Sequence, residues 1–233
     1  MKRIVGIIGG MGPEATVDFY REIIRCTPAE KDQDHIPVLI YSNPEVPERT
    51  QAILEGGESP LPYILRTAQV LEQAGAGILT MPCNTAHYYF SHIQAGVAIP
   101  ILNMIEETLR RFRALFPDGS RVGLLATTGT VRSGIYQGVF ARDGVEVLVP
   151  SLEDQDLIYR AIHQVKAGRQ DEQTERMLES FGSALVQEGA RAVVLGCTEI
   201  PLAFNQNRVL YPVLNATRIL AEAAVAWARG EIE

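Results

Sequence analysis

The chain has 233 residues, 46% of them hydrophobic, which suits one large domain or two small ones with a sizeable core. Its 21 Lys and Arg against 28 Asp and Glu leave a formal charge of −7, which argues against nucleic acid as the main partner because phosphate binding needs clustered cations. No apolar run approaches the ~20 residues that span a bilayer, and the apolar part of the N-terminus covers only about six residues before a helix cap, with no cleavage site. A soluble, cytoplasmic protein with no membrane partner is expected.

Taken in chain order, short apolar runs alternate with longer stretches of helical period. The expected elements are a strand over Arg3–Gly9, a helix over Glu14–Cys26, a strand over Pro37–Tyr41, a helix over Leu61–Ala74 and a strand over Gly77–Met81. A helix over Met104–Leu115, strands over Arg121–Ala126 and Val145–Leu148, helices over Gln155–Lys166 and Glu172–Glu188, and a strand over Arg191–Leu195 follow. The Ala-rich stretch Ala216–Arg229 closes the chain as a packed helix. The strand runs are rich in Val, Ile and Leu with little alternation, as in parallel strands buried on both faces. Strand–helix alternation of this kind predicts an α/β fold with parallel sheets.

A faint internal repeat organises the rest. GAGILTMPCNTAHYY surrounds Cys83 and GARAVVLGCTEIPLA surrounds Cys197, about half the chain further on. Each has Gly-Ala before a strand, a cysteine at the strand end and a Thr close behind. Two similar Rossmann-like (flavodoxin-like) halves facing each other are the simplest account. Residues 1–100, joined by the C-terminal helix at 212–233, would form the half that carries Cys83; residues 101–211 would form the half that carries Cys197.

Three cysteines at wide spacing are no disulfide framework, and without a C-x-x-C pair or a tight histidine pattern no metal site is expected. Cys26 reads as a small buried residue at the edge of the first helix. Cys83 and Cys197 read differently. In open parallel sheets the carboxyl ends of strands face the ligand crevice, and a helix start there offers free N–H groups. Such a setting pushes a thiol toward thiolate and can hold a carboxylate. Asn84, Thr85 and Thr198 add polar side chains at the same places. Two such sites facing one small amino acid could pass a proton from one face of the α-carbon to the other, with the developing enediolate held by N–H groups and hydroxyls.

These residues resemble a known family. MPCNTAH (Met81–His87) and LGCTEIPL (Leu195–Leu202) resemble the aspartate/glutamate racemase superfamily, and GIIGGMGPEAT (Gly6–Thr16), YSNPEVPERT (Tyr41–Thr50) and LLATTGTV (Leu124–Val131) resemble its aspartate racemase branch. The resemblance covers essentially the whole chain. It implies two Rossmann-like halves with the active site between them, no cofactor, a homodimer, and interconversion of L- and D-aspartate by the thiols of Cys83 and Cys197. Arg49, in a Pro-rich loop, would grip the distal carboxylate, with Lys166 as its basic partner. Met11 and Gly12 would line the first loop. Asn84, Thr85, Thr127 and Thr198 would surround the α-carboxylate and ammonium groups, with Thr128 a further substrate-binding candidate beside Thr127; Glu199 could orient the ammonium group or stand as an exposed first-turn acid.

Each assignment has a plainer alternative. Arg49 could be a solvated charge, Lys166 could offset a helix dipole, Thr127 and Thr128 could cap a helix, and His87 reads as packing or capping support. Glutamate racemases usually open with Asp-Ser-Gly and place His after the second Cys-Thr; here the opening is Gly9-Gly10-Met11 and the residue is Glu199. Asn215 stands where relatives often carry Asp. A broad-specificity or glutamate racemase is the enzymatic alternative, and a non-catalytic amino-acid-binding protein is the alternative of another class. The glycines of the opening do not have the spacing of a dinucleotide fingerprint or a P-loop.

Overall fold

A computed structural model describes residues Arg3–Ile232. The chain builds two parallel four-stranded sheets of the same order, one after the other. In the first, β1 (Val5–Gly9) leads to α1 (Pro13–Cys26), β2 (Val38–Ser42), α2 (Arg49–Leu54) and α3 (Leu61–Gln73). Next come β3 (Ile78–Thr80), a 3-10 turn at Thr85–Tyr89, α4 (Phe90–Gln94) and β4 (Ile101–Leu102). The strand order is β2-β1-β3-β4, all pairs parallel.

The helix α5 (Met104–Leu115) leads into the second sheet. There β5 (Arg121–Ala126) is followed by α6 (Thr128–Arg132), α7 (Ile135–Ala141), β6 (Glu146–Leu148), α8 (Leu152–Lys166) and α9 (Glu172–Gln187). Then come β7 (Val193–Gly196), a 3-10 turn at Ile200–Ala203, and β8 (Val213–Asn215). The order is β6-β5-β7-β8, again all parallel. The helix α10 (Ala216–Arg229) closes the chain. The residues up to Glu107, with those from Thr217 onward, form one compact unit; Thr108–Ala216 form the other. In the first unit the amide of Arg3 donates to the Ala228 carbonyl at 3.2 Å, and Trp227 lies where a side chain on Gly77 would stand.

The central strands are largely apolar because both faces are covered: every residue of β1, β3 and β7 is buried, and β5 is buried after Arg121. Around β1 and β3, Ile8, Ile64, Leu71, Leu79, Met81 and Ile93 form one core cluster that includes Cys83. Around β7, Leu125, Ile158, Ile162, Leu178, Leu185 and Leu195 form another that includes Cys197. Each fully buried aliphatic side chain of this kind contributes about 2 kcal/mol.

The repeated Gly-Ala has a physical origin. Gly75 and Gly189 follow α3 and α9 with φ of 95° and 105°, the left-handed region a glycine enters without strain. Gly75 N–H donates to the Glu72 carbonyl at 3.0 Å and Ala76 N–H to Leu71 at 3.1 Å; Gly189 donates to Val186 and Ala190 to Leu185, both at 3.0 Å. Both are Schellman ends, with the alanine packed into the core beside the leucine it caps. The same helix stop therefore launches both cysteine-bearing strands.

Several expectations need correction. β4 and β8 were not anticipated, being two and three residues long. The short helices α2 and α7 are not among the expected elements, and α4 and α6, although a helix start is expected behind Cys83 and at Thr127, have no bounds in the sequence. Arg49 is not in a loop: it is the first residue of α2, behind Glu48, whose carboxylate accepts from the Gln51 amide at 2.8 Å. α8 starts three residues earlier than expected, at Leu152, because Ser151 caps it through the Asp154 amide.

Candidate active site

In the first unit the site residues gather where β1 and β3 end side by side. Gly10 takes φ 93°, and a side chain on it would collide with the Asn43 backbone. The hydroxyl of Thr16 accepts from the Gly10 amide and donates to the Gly12 carbonyl, both at 2.9 Å, so the first turn of α1 pins the loop that holds Met11 and Gly12. Arg49 pins it from the other side. Its guanidinium donates to the carbonyls of Met11 at 3.3 Å, Pro47 at 3.2 Å and Val46 at 3.4 Å, and it is only 8% exposed. The solvated-charge alternative for Arg49 is therefore wrong.

Cys83 is 5% exposed. Its amide donates to the Met81 carbonyl at 2.7 Å, a tight turn, and its carbonyl is 2.9 Å from Nδ1 of His87. Asn84 and Thr85 are buried next to it. The chain then enters the 3-10 turn, and α4 begins only at Phe90 and lasts five residues.

In the second unit Ala126 and Gly196 are the last registered pair of β5 and β7, so Thr127 and Cys197 are the first residues beyond neighbouring strand ends. Thr127 caps α6: its hydroxyl accepts from the Thr130 amide at 3.2 Å and lies 3.0 Å from the Thr130 hydroxyl. The capping alternative is thus satisfied whatever else Thr127 does. Gln155 was missed by the sequence reading. It is 4% exposed, and its amide nitrogen donates to the Ala126 carbonyl at 2.9 Å and approaches the Thr128 hydroxyl at 3.5 Å. A buried glutamine in the first turn of a helix with acidic neighbours carries no distinguishing sequence signal.

The thiol of Cys197 donates to Glu199 Oε2 at 3.0 Å, and the Thr198 hydroxyl donates to the same oxygen at 3.2 Å. All three residues are buried. Burial, and after it the Glu199 carboxylate, push the Cys197 thiol well above its ordinary range, while the charge of Lys166 pulls the other way. This corrects the expectation of a thiol lowered toward thiolate. An α-helix N-terminus was expected behind each cysteine; a short 3-10 turn stands there instead. Lys166 is the exposed last residue of α8, and Asn215 ends β8 in register with Leu195, two residues before Cys197.

The sequence profile of Asp/Glu/Hydantoin racemase matches residues 8–224. The chain belongs to that family. The aspartate racemase of Picrophilus torridus has a solved structure that superposes with a TM-score of 0.85 at 34% identity, covering 97% of this chain and 94% of that one. An aspartate racemase homologue from Pyrococcus horikoshii superposes with a TM-score of 0.80 at 27% identity, covering 98% and 100%. A broad-specificity amino-acid racemase of Bacillus subtilis is 26% identical over 236 residues, 96% of this chain and 97% of its own length.

For this racemase-family chain the Cys197–Glu199 contact leads to a direct prediction. Glu199→Gln keeps an acceptor for the thiol but removes the adjacent negative charge, so the Cys197 thiol should ionise at lower pH. Thiolate absorbance followed against pH in the wild type, in Glu199→Gln and in a Cys197→Ala background should assign a downward shift to Cys197. An unchanged titration would show that burial alone sets the thiol.

His87 is 5% exposed and stacks on Phe90, and its two ring nitrogens have different partners. The Met104 amide donates to Nε2 at 3.1 Å, so Nε2 bears a lone pair and Nδ1 carries the proton, donating to Cys83. Burial pushes the His87 pKa down to about 4, the hydrogen bond to Cys83 opposing this only in part. In the unfolded chain the group protonates near pH ~6.5. The unfolded state therefore binds the extra proton first as pH falls. Stability from neutral His87 is whole above about pH 6.5 and drains away toward pH 4, by roughly 3 kcal/mol at most. Denaturant midpoints measured over that window should fall more steeply for wild type than for His87→Gln; parallel slopes would contradict a neutral buried imidazole.

Among the described residues no helix is long and apolar enough to cross a membrane, and no group of three or more His, Cys, Asp or Glu side chains is placed to hold a metal ion.

Proposed function

We propose that this family member is a cofactor-independent racemase that interconverts L- and D-aspartate, with Cys83 and Cys197 as its two acid–base groups. The observation that carries the reading is the matched placement of the thiols. Each is buried just past a central strand, β3 or β7, in sheets of identical order. Each lies beside the end of an adjacent strand whose main chain is held by a side chain from further along the sequence: Arg49 on Met11, just past β1, and Gln155 on Ala126, the last residue of β5.

In this scheme one thiolate takes the α-proton, and the electron pair of the C–H bond moves onto the carboxylate as an enediolate. The other cysteine delivers its S–H proton to the opposite face. The two sulfurs exchange protonation states, so each turnover sets the protein for the reverse reaction. The Cys197 thiol, protonated and hydrogen-bonded to Glu199, is set as the acid, and Glu199 is the group that helps strip its proton when Cys197 must act as base. Met11, Gly12, Asn84, Thr85, Thr127, Thr128 and Thr198 are proposed to supply donors to the enediolate and hold the ammonium group. Arg49 and Lys166 are proposed to select the acidic side chain. The unit formed by the residues up to Glu107 with those from Thr217 onward, and the unit Thr108–Ala216, would each contribute one cysteine in a cytoplasmic homodimer; the expected bounds at 100/101 and 211/212 shift because β4 belongs to the first sheet and β8 to the second.

A second reading, broad specificity, is favoured by the full-length match to the Bacillus subtilis racemase. Incubating the purified, reduced protein with L-aspartate in D2O and no added cofactor tests the proposal. D-aspartate deuterated at the α-carbon is expected. Faster turnover of neutral amino acids would favour the second reading. No exchange with any amino acid would leave a binding protein.

A further inference from the structure

We infer that His87 is a positioning residue for Cys83, joining the cysteine's own peptide to the first amide of α5 through one imidazole in one tautomer. The inference rests on the proposed role of Cys83 and assigns His87 a part in it. Both main-chain polar groups of Cys83 are engaged locally. Its amide closes the turn onto Met81 at 2.7 Å, and its carbonyl receives Nδ1–H of His87 at 2.9 Å. With both ends of the residue held, the direction in which the thiol leaves the backbone is set by this turn and this ring.

The far side of the ring is equally constrained. Asn103 caps α5, accepting from the amides of Ile105 at 3.0 Å and Glu106 at 3.3 Å. The Met104 amide is directed past that cap to His87 Nε2 at 3.1 Å. The positive end of a helix aimed at a ring nitrogen favours the lone pair over a proton, so α5 selects the tautomer that leaves Nδ1–H for Cys83. Burial and stacking on Phe90 prevent the ring from turning away. A plain packing residue needs neither bond, and a simple cap needs only one.

The two bonds can be separated by substitution. In His87→Asn the side-chain amide sits where Nδ1 was and can still donate to Cys83, while the Met104 bond is lost. In His87→Gln the carbonyl oxygen reaches the Nε2 position and can still accept from Met104, while the Cys83 bond is lost. The experiment is alkylation by iodoacetamide, with rates at Cys83 and Cys197 resolved by peptide mass spectrometry in the same sample, together with kcat and KM for racemisation. His87→Gln should speed Cys83 alkylation at least ~10-fold relative to Cys197 and lower kcat by ~30-fold, with KM within ~3-fold. His87→Asn should keep both within ~3-fold of wild type, though its thermal stability falls as much. An unchanged Cys83-to-Cys197 ratio in His87→Gln, or equal effects of both variants, would overturn the inference. A wild-type protein that racemises nothing would refute the proposed function alone, and the alkylation ratio would still decide the role of His87.

Discussion

Cys83→Ala and Cys197→Ala are each expected to lower aspartate racemisation by at least ~10³-fold, the scale of losing an acid–base group. The loss should not be symmetrical. With one cysteine gone, the remaining thiol can still remove the α-proton from its own face and return a deuteron to that face. In D2O each variant should therefore exchange the α-hydrogen of one enantiomer with retention and leave the other untouched, and the two variants should choose opposite enantiomers. Circular dichroism must show folded protein, since both side chains belong to core clusters. Normal turnover in either variant, or exchange of both enantiomers by a single cysteine, would end the two-base scheme. Cys26, partly exposed at the end of α1, serves as the control: Cys26→Ala should leave turnover unchanged.

The second large effect concerns Arg49. Its guanidinium is occupied with three main-chain carbonyls, those of Val46, Pro47 and Met11. The geometry gives one role and the proposed function a second, and the two separate by substrate. As a brace, Arg49 holds the Met11–Gly12 loop for any amino acid. As the proposed selector, it would offer charged donors to a distal carboxylate, which only acidic substrates have. Arg49→Gln retains a donor for the loop and removes the charge. Losing charge-assisted hydrogen bonds worth about 3 kcal/mol should cost aspartate ~10²-fold in kcat/KM beyond the loss for alanine. Equal losses for the two substrates would make Arg49 a brace only and would move the reading toward broad specificity. Arg49→Lys completes the comparison, because it restores charge without the planar fork; a partial recovery for aspartate alone is expected.

The strands that were legible in the sequence are the ones buried on both faces. Ile7 and Ile8 in β1, Leu124 and Leu125 in β5, and Val193 to Leu195 in β7 are buried, and such strands write unbroken apolar runs. The helices Met104–Leu115 and Ala216–Arg229 were legible to the residue because their apolar period runs for three turns or more. β4 and β8 left no comparable trace: two or three residues at the rim of a sheet carry no period. The four short helices have no legible bounds for the same reason, and Arg49 reads as a loop residue because Pro44 and Pro47 precede it so closely.

The sequence by itself determined the family, the doubled α/β plan and the candidate residues at strand ends, because recurrent local signals carry them: Gly-Ala helix stops, apolar runs and cysteine motifs. Only the tertiary structure decided the state of those residues. That Cys197 is raised instead of lowered follows from burial and from a carboxylate at 3.0 Å. That His87 is neutral in one tautomer follows from a Met104 amide seventeen residues away. That Gln155 matters at all follows from its contact with Ala126, on another element of the same sheet layer. Ionisation and hydrogen-bond direction depend on distance, dielectric and partner geometry, and these are set by which segments pack together, not by spacing along the chain.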